Sequence, residues 1–481
     1  MSKNKQQFVK EITPRDEDFA QWYTDIITKA DLVDYSPVKG FMVIKPYGYA
    51  LWESIQGFAD RRFKETGHKN CYFPLLIPES LLMKEAEHVE GFAPEAAWVT
   101  HAGKERLEER LAIRPTSETI ICSMYSKWLK SYRDLPYLYN QWCSVVRWEK
   151  STRPFLRTSE FLWQEGHTLH ETYEEAEAET IQMLDIYEEV AHDLMAMPVV
   201  KGQKSVRERF AGAQDTYTIE ALMHDGKALQ SGTSHFLAQH FTKAFDIQFQ
   251  DRKGGLSYPY HTSWGISTRL IGGLIMVHSD DRGLVLPPKM APFQVRIIPI
   301  QQNKEGVMDQ ANEIYSELKK SLRVDMDDTT EKSPGYKFND AEMLGIPVRI
   351  EVGPRDLEKG QVTIVRRDTL EKEQYPIEGL REKLEALMVE IQQNLFDKAL
   401  ERQKARTSTV FNMEDFQKAL VENPGFIRAM HCEDEECELA IKEETTATIR
   451  CFPFADTEKI ADTCFHCGKK ADRLAYFAKA Y

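Results

Sequence analysis

The chain has 481 residues, of which 42% are hydrophobic and 29% are charged, a balance typical of a globular protein. This length corresponds to about three domains of ordinary size. The sequence has no apolar run of roughly 18 residues, and the polar start Met1–Gln7 does not resemble a secretory signal. We therefore expect a cytoplasmic protein with no membrane partner. The net charge of −14 argues against a protein that coats nucleic acid, so an RNA ligand must be inferred from motifs.

Two helical patterns open the chain. Thr13-Pro14 predicts a helix start, with the threonine as cap and the proline in the first turn. An apolar stripe at helical spacing follows it, formed by Phe19, Trp22, Tyr23, Ile26 and Ile27. A second amphipathic segment ends at Gly67, and residues 71–78 predict a strand that proline interrupts.

Several strand patterns follow, linked by glycine-containing turns. They cover residues 137–146, 161–168, 217–223, 227–230 and 246–250, with a long acidic helix predicted over 171–197. Long strands joined by hairpins favour an antiparallel sheet flanked by helices.

The composition changes at Pro287–Pro292, which marks a domain boundary. Beyond it, strand patterns at 295–300, 348–352 and 362–366 alternate with helical ones such as 307–322, which predicts a small α/β domain. A long charged helix over 378–406 leads into a cysteine-bearing tail. We expect three domains, at 1–286, 287–402 and 403–481.

Three segments have the composition of a phosphate-binding site. The first contains Arg147-Trp148-Glu149, then a loop, then Arg157 and Phe161. An arginine at a strand end can place its planar fork on a phosphate, and a glutamate two residues later points to the same face. On its own, such an Arg-x-Glu pair is more often a surface ion pair.

The second segment, Ser263–Gly273, predicts a strand of small residues that turns into a glycine-bearing helix, with Arg269 at the junction. Small side chains let a ligand lie directly against a sheet. The third segment runs from Gly67 through a half-apolar strand to Pro74. Either segment by itself is ordinary core packing.

In this order, the segments resemble the three signature motifs of the class II aminoacyl-tRNA synthetases. The matching residues are Gly67 and Pro74, then Arg147, Glu149, Arg157 and Phe161, then Gly265 and Arg269. One departure is that Ser267-Thr268 precedes the last arginine, where the family usually has glutamate and more glycines. The prolyl enzymes show the same variation.

Further segments are similar to prolyl-tRNA synthetases of the archaeal and eukaryotic type. These are Gln164–His167, Arg209–Gly212, Gln230–His235 and Thr262–Gly265, together with Arg114–Glu118, which resembles a Thr-x-Glu loop that holds a substrate amino group. Proline is small and apolar, so flat walls suit it, and Trp163, Phe210 and His235 fit that purpose. Without the resemblance, Trp163 and Phe210 would be interpreted as core residues.

The resemblance implies an α+β fold with a class II catalytic domain, an α/β anticodon-binding domain and a zinc-binding α+β domain. Arg147 and Arg269 are the implied catalytic residues. The implied proline site consists of Thr116, Glu118, Arg147, Trp163, Phe210 and His235. The implied ATP site, used with Mg²⁺, consists of Arg147, Glu149, Arg157, Thr158, Phe161, Gln230, Thr233, Ser267 and Arg269.

The implied reaction is activation of L-proline with ATP and transfer of the prolyl group to tRNA(Pro) by a homodimer. The sheet itself fills the sequence between Arg157 and Arg269, so we expect no inserted editing domain for mischarged alanine. Two alternatives stay open: another amino acid within the same class, which exchange assays would separate, and a non-catalytic tRNA sensor, which the intact motif arginines disfavour. Lys337, Arg366 and Arg367 are candidates for contact with the tRNA backbone.

Five of the eight cysteines lie after residue 430. Cys432 and Cys437 form C-x4-C, and Cys464 and Cys467 form C-x2-C, a spacing that predicts a structural Zn²⁺ site with four thiolate ligands. One substitution among the four remains open, since Cys451 lies outside both pairs and His431 and His466 are adjacent to the ligands. The zinc-binding domain of the related enzymes supports the same interpretation. In that family a terminal tyrosine carboxylate reaches the active site, so we expect the same of Tyr481.

Overall fold

The structure is a computed structural model that describes residues 12–88 and 96–481, with the side chains of 84–88 left aside. We divide it into an N-terminal region (12–286), a middle region (287–405) and a C-terminal region (406–481). The N-terminal helices are α1 (Phe19–Lys29), α2 (Pro46–Glu65), α3 (Glu79–His88), α4 (Glu118–Trp128), α5 (Tyr173–Glu189), α6 (His240–Ala244) and α7 (Arg269–His278). The N-terminal strands are β1 (Val33–Tyr35), β2 (Met42–Ile44), β3 (Lys69–Asn70), β4 (Leu76–Pro78), β5 (Trp98–Ala102), β6 (Glu105–Ile113), β7 (Tyr137–Val146), β8 (Glu160–His170), β9 (Val199–Gln203), β10 (Asp215–Leu222), β11 (Ala228–Ala238), β12 (Phe249–Gln250), β13 (Leu256–Ser257) and β14 (Tyr260–Ser267).

The predicted antiparallel sheet flanked by helices is confirmed. Its strands lie in the order β9, β10, β11, β14, β8 and β7, with each neighbouring pair antiparallel, and the short β3 adds in parallel beside β7. Helix α5 packs across β11 and β14 on one face. Between Arg157 and Arg269, five of the seven strands belong to this sheet, as expected for a span without an inserted domain.

The middle region is a mixed α/β unit. It contains β15 (Val295–Pro299), α8 (Val307–Leu318), β16 (Val324–Met326), α9 (Pro334–Met343), β17 (Val348–Val352), α10 (Pro354–Leu357), β18 (Gln361–Arg366), β19 (Lys372–Pro376) and α11 (Leu380–Ala405). The strands lie in the order β16, β15, β17, β18 and β19, parallel across the first three and antiparallel beyond. Because α11 continues to Ala405, the break between regions falls a few residues after the boundary expected at 402.

The C-terminal region contains β20 (Thr407–Thr409), α12 (Met413–Glu422), β21 (Phe426–His431), α13 (Glu435–Thr445), β22 (Thr448–Pro453) and β23 (Arg473–Ala478). Strand β22 pairs with β23 on one side and with β9 on the other, through Phe452 opposite Gln203 and Pro453 opposite Gly202. One 11-stranded sheet therefore runs through the N-terminal and C-terminal regions. The sequence patterns did not predict this continuity.

Buried ions reinforce that junction. Glu220 on β10 is fully buried and accepts hydrogen bonds from Lys204 Nζ at 2.8 Å and from the guanidinium of Arg450 on β22 at 3.0 Å. Burial by itself raises the pKa of Glu220, but the Arg450 and Lys204 charges outweigh burial and leave the pKa below its usual value. Removing one partner of such a group leaves an uncompensated buried charge, so this cluster ties the two regions together.

Some local predictions were wrong. Helix α1 begins at Phe19 with Asp18 as its cap, and Thr13 instead donates from Oγ1 to Asp25 at 2.9 Å. The strand expected over 71–78 survives only as β4, because the Phe73 amide donates to the side chain of Gln141 rather than to a neighbouring strand. The long helix over 171–197 changes at Val190 into a π-helical turn ending at Leu194.

The three basic residues expected to contact tRNA are occupied by structural ion pairs. The ammonium of Lys337 is buried and donates to the Asp327 carbonyl at 2.8 Å. Arg366 binds Asp368, and Arg367 is buried and donates to both Asp280 oxygens, which joins the middle and N-terminal regions. A guanidinium saturated by a carboxylate is a poor phosphate ligand, so these ion pairs disfavour the expected tRNA contact, which stays a prediction. Within the part of the chain that the structure describes, no helix is long and apolar enough to cross a membrane.

The junction of β9 and β22 generates a stability prediction. A Cβ added at Gly202 would lie 2.3 Å from the Phe452 carbonyl oxygen, so Gly202→Ala must push the two strands apart. We expect the thermal midpoint to fall by about 3–10 °C. Gly57→Ala in α2 is the control, because a Cβ there meets nothing within 4 Å and alanine favours a helix. Equal midpoints for the two variants would contradict the close approach at Gly202.

Candidate active site

A cavity of about 320 Å³ lies on the face of the sheet opposite α5 and is lined by β8, β11, β14 and the loops around them. Side chains alternate between the two faces of a strand, so every second residue of β8 faces the cavity. These residues are Phe161, Trp163, Glu165 and His167. The alternation places two aromatic rings toward one end and two ionisable groups toward the other.

Strand β14 places small residues opposite the large ones of β8. Ser263 pairs with His167, Gly265 with Glu165 and Ser267 with Trp163. The absence of bulk on β14 leaves space directly above the sheet, as the small-residue segment predicted. Strand β11 completes the floor, with Thr233 paired to Gly265 and His235 to Ser263.

Arg147 follows the last residue of β7 and borders the cavity. Its Nε donates to the Pro115 carbonyl at 3.0 Å, which fixes the direction of the guanidinium. The guanidinium carbon lies 5.5 Å from the centre of the Phe161 ring and 5.3 Å from that of Trp163. These contacts orient the fork while leaving its outer nitrogens directed at the cavity.

Arg269, the first residue of α7, faces the same space. Its Nε donates to the Leu156 carbonyl at 3.2 Å and thereby fixes the loop between β7 and β8. Burial lowers the pKa of Arg269, and the positive charges of Arg157 and Arg147 lower it further. Across residues 12–88 and 96–481, neither Arg147 nor Arg269 has a carboxylate within salt-bridge distance. This concentration of unneutralised positive charge favours a polyanionic ligand.

Carboxylates occupy another part of the wall. Thr116 donates from Oγ1 to Glu118, the first residue of α4. Glu165 is buried and accepts from the Ser117 amide at 3.1 Å and from Gln141 Nε2 at 3.1 Å. Burial raises its pKa, but the hydrogen bond and charge of His167 outweigh burial and lower the pKa overall, so Glu165 is ionised near neutral pH.

Oxygen and imidazole atoms of Glu118, Glu165 and His167 lie within 4.8 Å of one another. Such a group suits either an ammonium ion, which donates to several acceptors, or a divalent cation. Thr116 supports the ammonium because its hydroxyl oxygen adds a further acceptor. The pocket therefore has a cation-binding end and an anion-binding end.

A flat wall closes the cation-binding end. The rings of Phe210 and His235 lie 4.7 Å apart with an interplanar angle of 34°. Thr216 Oγ1 shares a hydrogen bond of 3.0 Å with His235 Nδ1 and accepts the Phe210 amide at 3.0 Å. Burial, with a smaller contribution from the nearby His167, lowers the pKa of His235 to about 3, so this wall is uncharged at neutral pH.

All residues predicted from the sequence to bind proline or ATP line this cavity, except three. Glu149 and Arg157 lie outside it, 3.8 Å apart across the loop that follows β7. Thr158 donates to the Glu160 carbonyl at 2.6 Å and borders a neighbouring cavity of about 230 Å³, together with Phe161. Phe161 thus separates the two cavities.

The sequence analysis assigned no role to several lining residues, chiefly Glu165, His167, Glu208 and Arg209. The sequence did contain a signal that Glu165 and His167 face the cavity, because they continue the alternation of every second residue that begins at Phe161 and Trp163. Arg209 begins one of the segments that resemble prolyl-tRNA synthetases, but no local pattern gave it or Glu208 a place in the site, which both reach from the loop between β9 and β10.

The cysteines predicted to bind zinc also converge. Cys432 Sγ lies 3.5 Å from Cys467 Sγ, and Cys437 Sγ lies 3.8 Å from Cys464 Sγ. Zn–S bonds of about 2.3 Å in a tetrahedron require sulfur atoms about 3.8 Å apart, so the separation within each pair suits the ion. A ring nitrogen of His431 lies within 4.8 Å of the sulfur atoms of Cys432, Cys437 and Cys464, so His431 is a further candidate ligand. Cys451 is elsewhere, paired with Tyr476 in the sheet, whereas His466 Nδ1 lies 3.2 Å from Cys437 Sγ.

The Tyr481 side chain is anchored in the N-terminal region. Its hydroxyl donates to Asp225 Oδ2 at 2.6 Å, its amide donates to the Ala228 carbonyl at 3.1 Å, and Lys227 Nζ lies 4.8 Å from the ring centre. Ala228 begins β11, the strand that carries His235 into the cavity. The residue is held in place, and the approach of its carboxylate to the active site stays a prediction.

Comparison with protein families gives three matches. Residues 98–278 match the tRNA synthetase class II core domain (G, H, P, S and T), and residues 294–387 match an anticodon binding domain. Residues 413–481 match the prolyl-tRNA synthetase C-terminal domain. The fold and the site thus define a class II aminoacyl-tRNA synthetase.

The chain is 68% identical to a proline–tRNA ligase of Acetoanaerobium sticklandii and 66% identical to proline–tRNA ligase 2 of Clostridioides difficile, each over 100% of both chains. A crystal structure of prolyl-tRNA synthetase from Cryptosporidium parvum, complexed with halofuginone and AMPPNP, matches with a TM-score of 0.94 and 43% identity, over 98% of this chain and 99% of that one. The chain belongs to the proline–tRNA ligase family. Since the first two relatives are bacterial, the archaeal and eukaryotic type inferred from the sequence describes domain content and not source.

The low pKa of His235 generates a pH prediction. The folded state keeps this imidazole neutral down to about pH 3, whereas the unfolded chain protonates it near pH 6.5. Its contribution to stability is therefore present above pH 6.5 and is lost as the pH falls toward 3, by up to about 1.4 kcal/mol per pH unit. His235→Gln should show a shallower fall of the thermal midpoint between pH 7.5 and pH 5 than the wild type. His101→Gln, at an exposed position, should keep the wild-type slope, and parallel slopes for all three proteins would contradict the prediction.

Proposed function

We propose that the chain activates L-proline with ATP to form prolyl-adenylate and transfers the prolyl group to the 3′ end of tRNA(Pro). The observation that carries this proposal is the polarity of the cavity. Arg147 and Arg269 lie at one end without a carboxylate partner in the described structure, and Glu118 and Glu165 lie at the other. A zwitterionic amino acid and a polyphosphate fit these ends simultaneously.

Proline would bind with its secondary ammonium toward Thr116, Glu118 and Glu165. Its ring would lie between Trp163 and the wall formed by Phe210 and His235. Because His235 is neutral at physiological pH, the ring meets no charge on that side. The carboxylate would then point toward Arg147, which binds it through charge-assisted hydrogen bonds.

ATP would bind along the arginine end, with its adenine against Phe161 and its amino group near Glu149. Arg147 would contact the α-phosphate and the attacking carboxylate together. Arg157 and Arg269 would hold the β- and γ-phosphates, whose charge the accompanying Mg²⁺ partly neutralises. Gln230, Thr233 and Ser267 line the floor and would contact the nucleotide. Displacement of Glu149 from Arg157 would free both side chains for the ligand.

The first chemical step is attack of the proline carboxylate oxygen on the α-phosphorus, with release of pyrophosphate. The site needs neither a covalent nucleophile nor a general base for this step, because an ionised carboxylate is already the nucleophile. Positioning of the two reactants and stabilisation of the phosphoryl charge by Arg147 and Arg269 provide the acceleration. In the second step, a hydroxyl of the terminal ribose of tRNA(Pro) attacks the carbonyl carbon of the adenylate, the bond from that carbon to the phosphate oxygen breaks, and AMP leaves.

The functions that we propose for the individual domains are those of the corresponding domains in the family. The unit at 287–402 would bind the anticodon loop, and the catalytic unit at 1–286 would act without an editing domain in the same chain. A cytoplasmic location, where tRNA is charged, accords with this role. The sheet continuity through β22 and β9 means that the zinc-binding unit at 403–481 is joined rigidly to the catalytic unit.

Cys432, Cys437, Cys464 and Cys467 would hold a structural Zn²⁺. Their sulfur separations match a tetrahedral site, and all eight cysteines of the chain are free of disulfides. When bound, the ion would link α13 to the segment that precedes β23 and so fix this small region. It would supply no reactive group to the cavity.

A homodimer is supported by an exposed apolar surface near the first motif. Tyr72, Leu75, Met83 and Trp128 are 40–70% exposed, and the Trp128 ring lies 6.0 Å from that of Phe73. Exposed large apolar side chains grouped in this way are typical of an interface between protein chains.

Arg147 provides the decisive test. Arg147→Ala removes a contact that strengthens as the phosphoryl charge develops, so proline-dependent ATP–pyrophosphate exchange should fall about 100- to 1,000-fold. Arg61→Ala is the matched control, because Arg61 lies exposed on α2 and pairs weakly with Glu65 at 3.5 Å. Normal exchange by Arg147→Ala would overturn the proposed mechanism. Wild-type exchange that responds to another amino acid and not to proline would overturn the substrate.

Cys464 tests the zinc site. Cys464→Ser should reduce the zinc content well below one ion per chain and lower the thermal midpoint, because metal binding stabilises the folded C-terminal region. Cys451→Ser replaces another buried cysteine outside the cluster and should keep its zinc. The measurement is the zinc content of the purified variants, and equal zinc in Cys464→Ser and Cys451→Ser would show that Cys464 is not a ligand.

A further inference from the structure

The loop between β9 and β10, residues 204–214 and here named the pocket loop, reaches the cavity with Glu208, Arg209 and Phe210. Its second half packs against a buried apolar cluster through Phe210, Ala211 and Ala213, whereas its first half has no such contact in the described structure. Val206, Arg207 and Arg209 are exposed, and Phe210 is only half-buried. Phe210 is fixed on one side by the hydrogen bond from its amide to Thr216, and the exposed residues that precede it depend on the polar contacts at the start of the loop.

Those contacts are made by the C-terminal region. Ser205 Oγ donates to Glu438 Oε1 on α13 at 2.7 Å, and both side chains are buried. The same oxygen accepts the Glu208 amide at 3.3 Å. Since a hydroxyl has one proton, its donation to Glu438 directs the oxygen lone pairs toward Glu208. Glu438 therefore determines how Ser205 holds the first turn of the pocket loop.

Further contacts clamp both stems of the loop to the same region. Lys204 joins the buried cluster with Glu220 and Arg450. Arg473 on β23 donates to Gln203 Oε1 at 3.0 Å, and Gln203 Nε2 donates to Asp215 at 2.6 Å, across the two ends of the loop. The stems are thus fixed by rigid strands, and Ser205 with Glu438 fixes the first turn between them, the turn that leads to Phe210.

We propose that Glu438 is a positioning residue for the proline end of the active site. It acts through Ser205 and the pocket loop to set the place of Phe210 against His235, without touching substrate. The C-terminal region would then adjust amino-acid binding in addition to folding around its zinc. This inference rests on the proposed function in taking proline as the ligand of the flat wall.

The kinetic test uses the full-length protein. Glu438→Ala and Ser205→Ala should each raise the KM for proline about tenfold in the exchange assay, the effect expected for a lost hydrogen bond to a charged group. The KM for ATP should stay within about twofold, because the arginine end does not touch the pocket loop. Glu438→Gln should remain close to wild type, since its amide oxygen still accepts from Ser205. The double variant Ser205→Ala with Glu438→Ala should lose no more than either single one, because both remove the same contact.

Limited trypsin digestion measures how accessible the pocket loop is to cleavage, independently of activity. Cleavage after the exposed Arg207 should accelerate in Glu438→Ala and Ser205→Ala, relative to cleavage after Lys253 in an unrelated exposed turn of the same molecule. Glu443→Ala, at an exposed position on α13, should leave both the cleavage ratio and the KM for proline unchanged. Zinc content, measured on each variant, should remain that of the wild type. If Glu438→Ala does not fold, Ser205→Ala examines the same contact from the loop.

Unchanged KM for proline together with unchanged cleavage at Arg207 in Ser205→Ala would overturn the proposal. A parallel loss of proline binding, ATP binding and zinc would also overturn it, since that result indicates general disruption. A wild-type protein without proline-dependent exchange would instead refute the proposed function, and the cleavage ratio would still report on the loop contact.

Discussion

The antiparallel register of β8 against β14 is the constraint on which the rest of the site depends. It sets Glu165 opposite Gly265 and His167 opposite Ser263, so large ionisable groups face small residues over open space. A shift of β8 by one residue would turn its cavity side chains to the opposite face. The face that carries α5 would then receive charged groups, and the cavity would receive residues such as Gln164, which now accepts a hydrogen bond from Tyr187 of α5. The hydrophobic packing of that helix therefore protects the chemistry on the other side of the sheet.

The second constraint is electrostatic. Arg147, Arg157 and Arg269 repel one another in the absence of ligand, and the framework holds them together through neutral carbonyls, Pro115 for Arg147 and Leu156 for Arg269. A carboxylate in place of either carbonyl would relieve the repulsion but compete with phosphate. Anchoring cations with uncharged dipoles keeps the positive potential available, at some expense to the stability of the unliganded site. Preorganised charge of this kind suits a transition state that gains phosphoryl charge.

Sequence reasoning located much of this arrangement. It placed β7 over Tyr137–Val146 and identified Arg147 and Arg269, because a strand end and a small-residue strand are local patterns. The partner of each strand is not a local property, so the continuity of β22 with β9 was missed. The ion pairs of Lys337 and Arg367 were missed for the same reason, because their partners Asp327 and Asp280 are not sequence neighbours and are met only in the fold. Glu165 and His167 were recoverable from alternation, whereas Arg209 required the tertiary position of its loop.

The pairing of β22 with β9 has a consequence for biosynthesis. Strand β9 emerges from the ribosome near the middle of translation, whereas β22 and β23 are among the last segments made. At about 5–20 residues per second, the β9 edge of the catalytic sheet lacks its neighbour for tens of seconds. An unpaired edge is a template for association with other chains, and polysomes hold many copies side by side. A product truncated before β22 would keep this edge of the catalytic sheet unpaired, which makes it prone to aggregate.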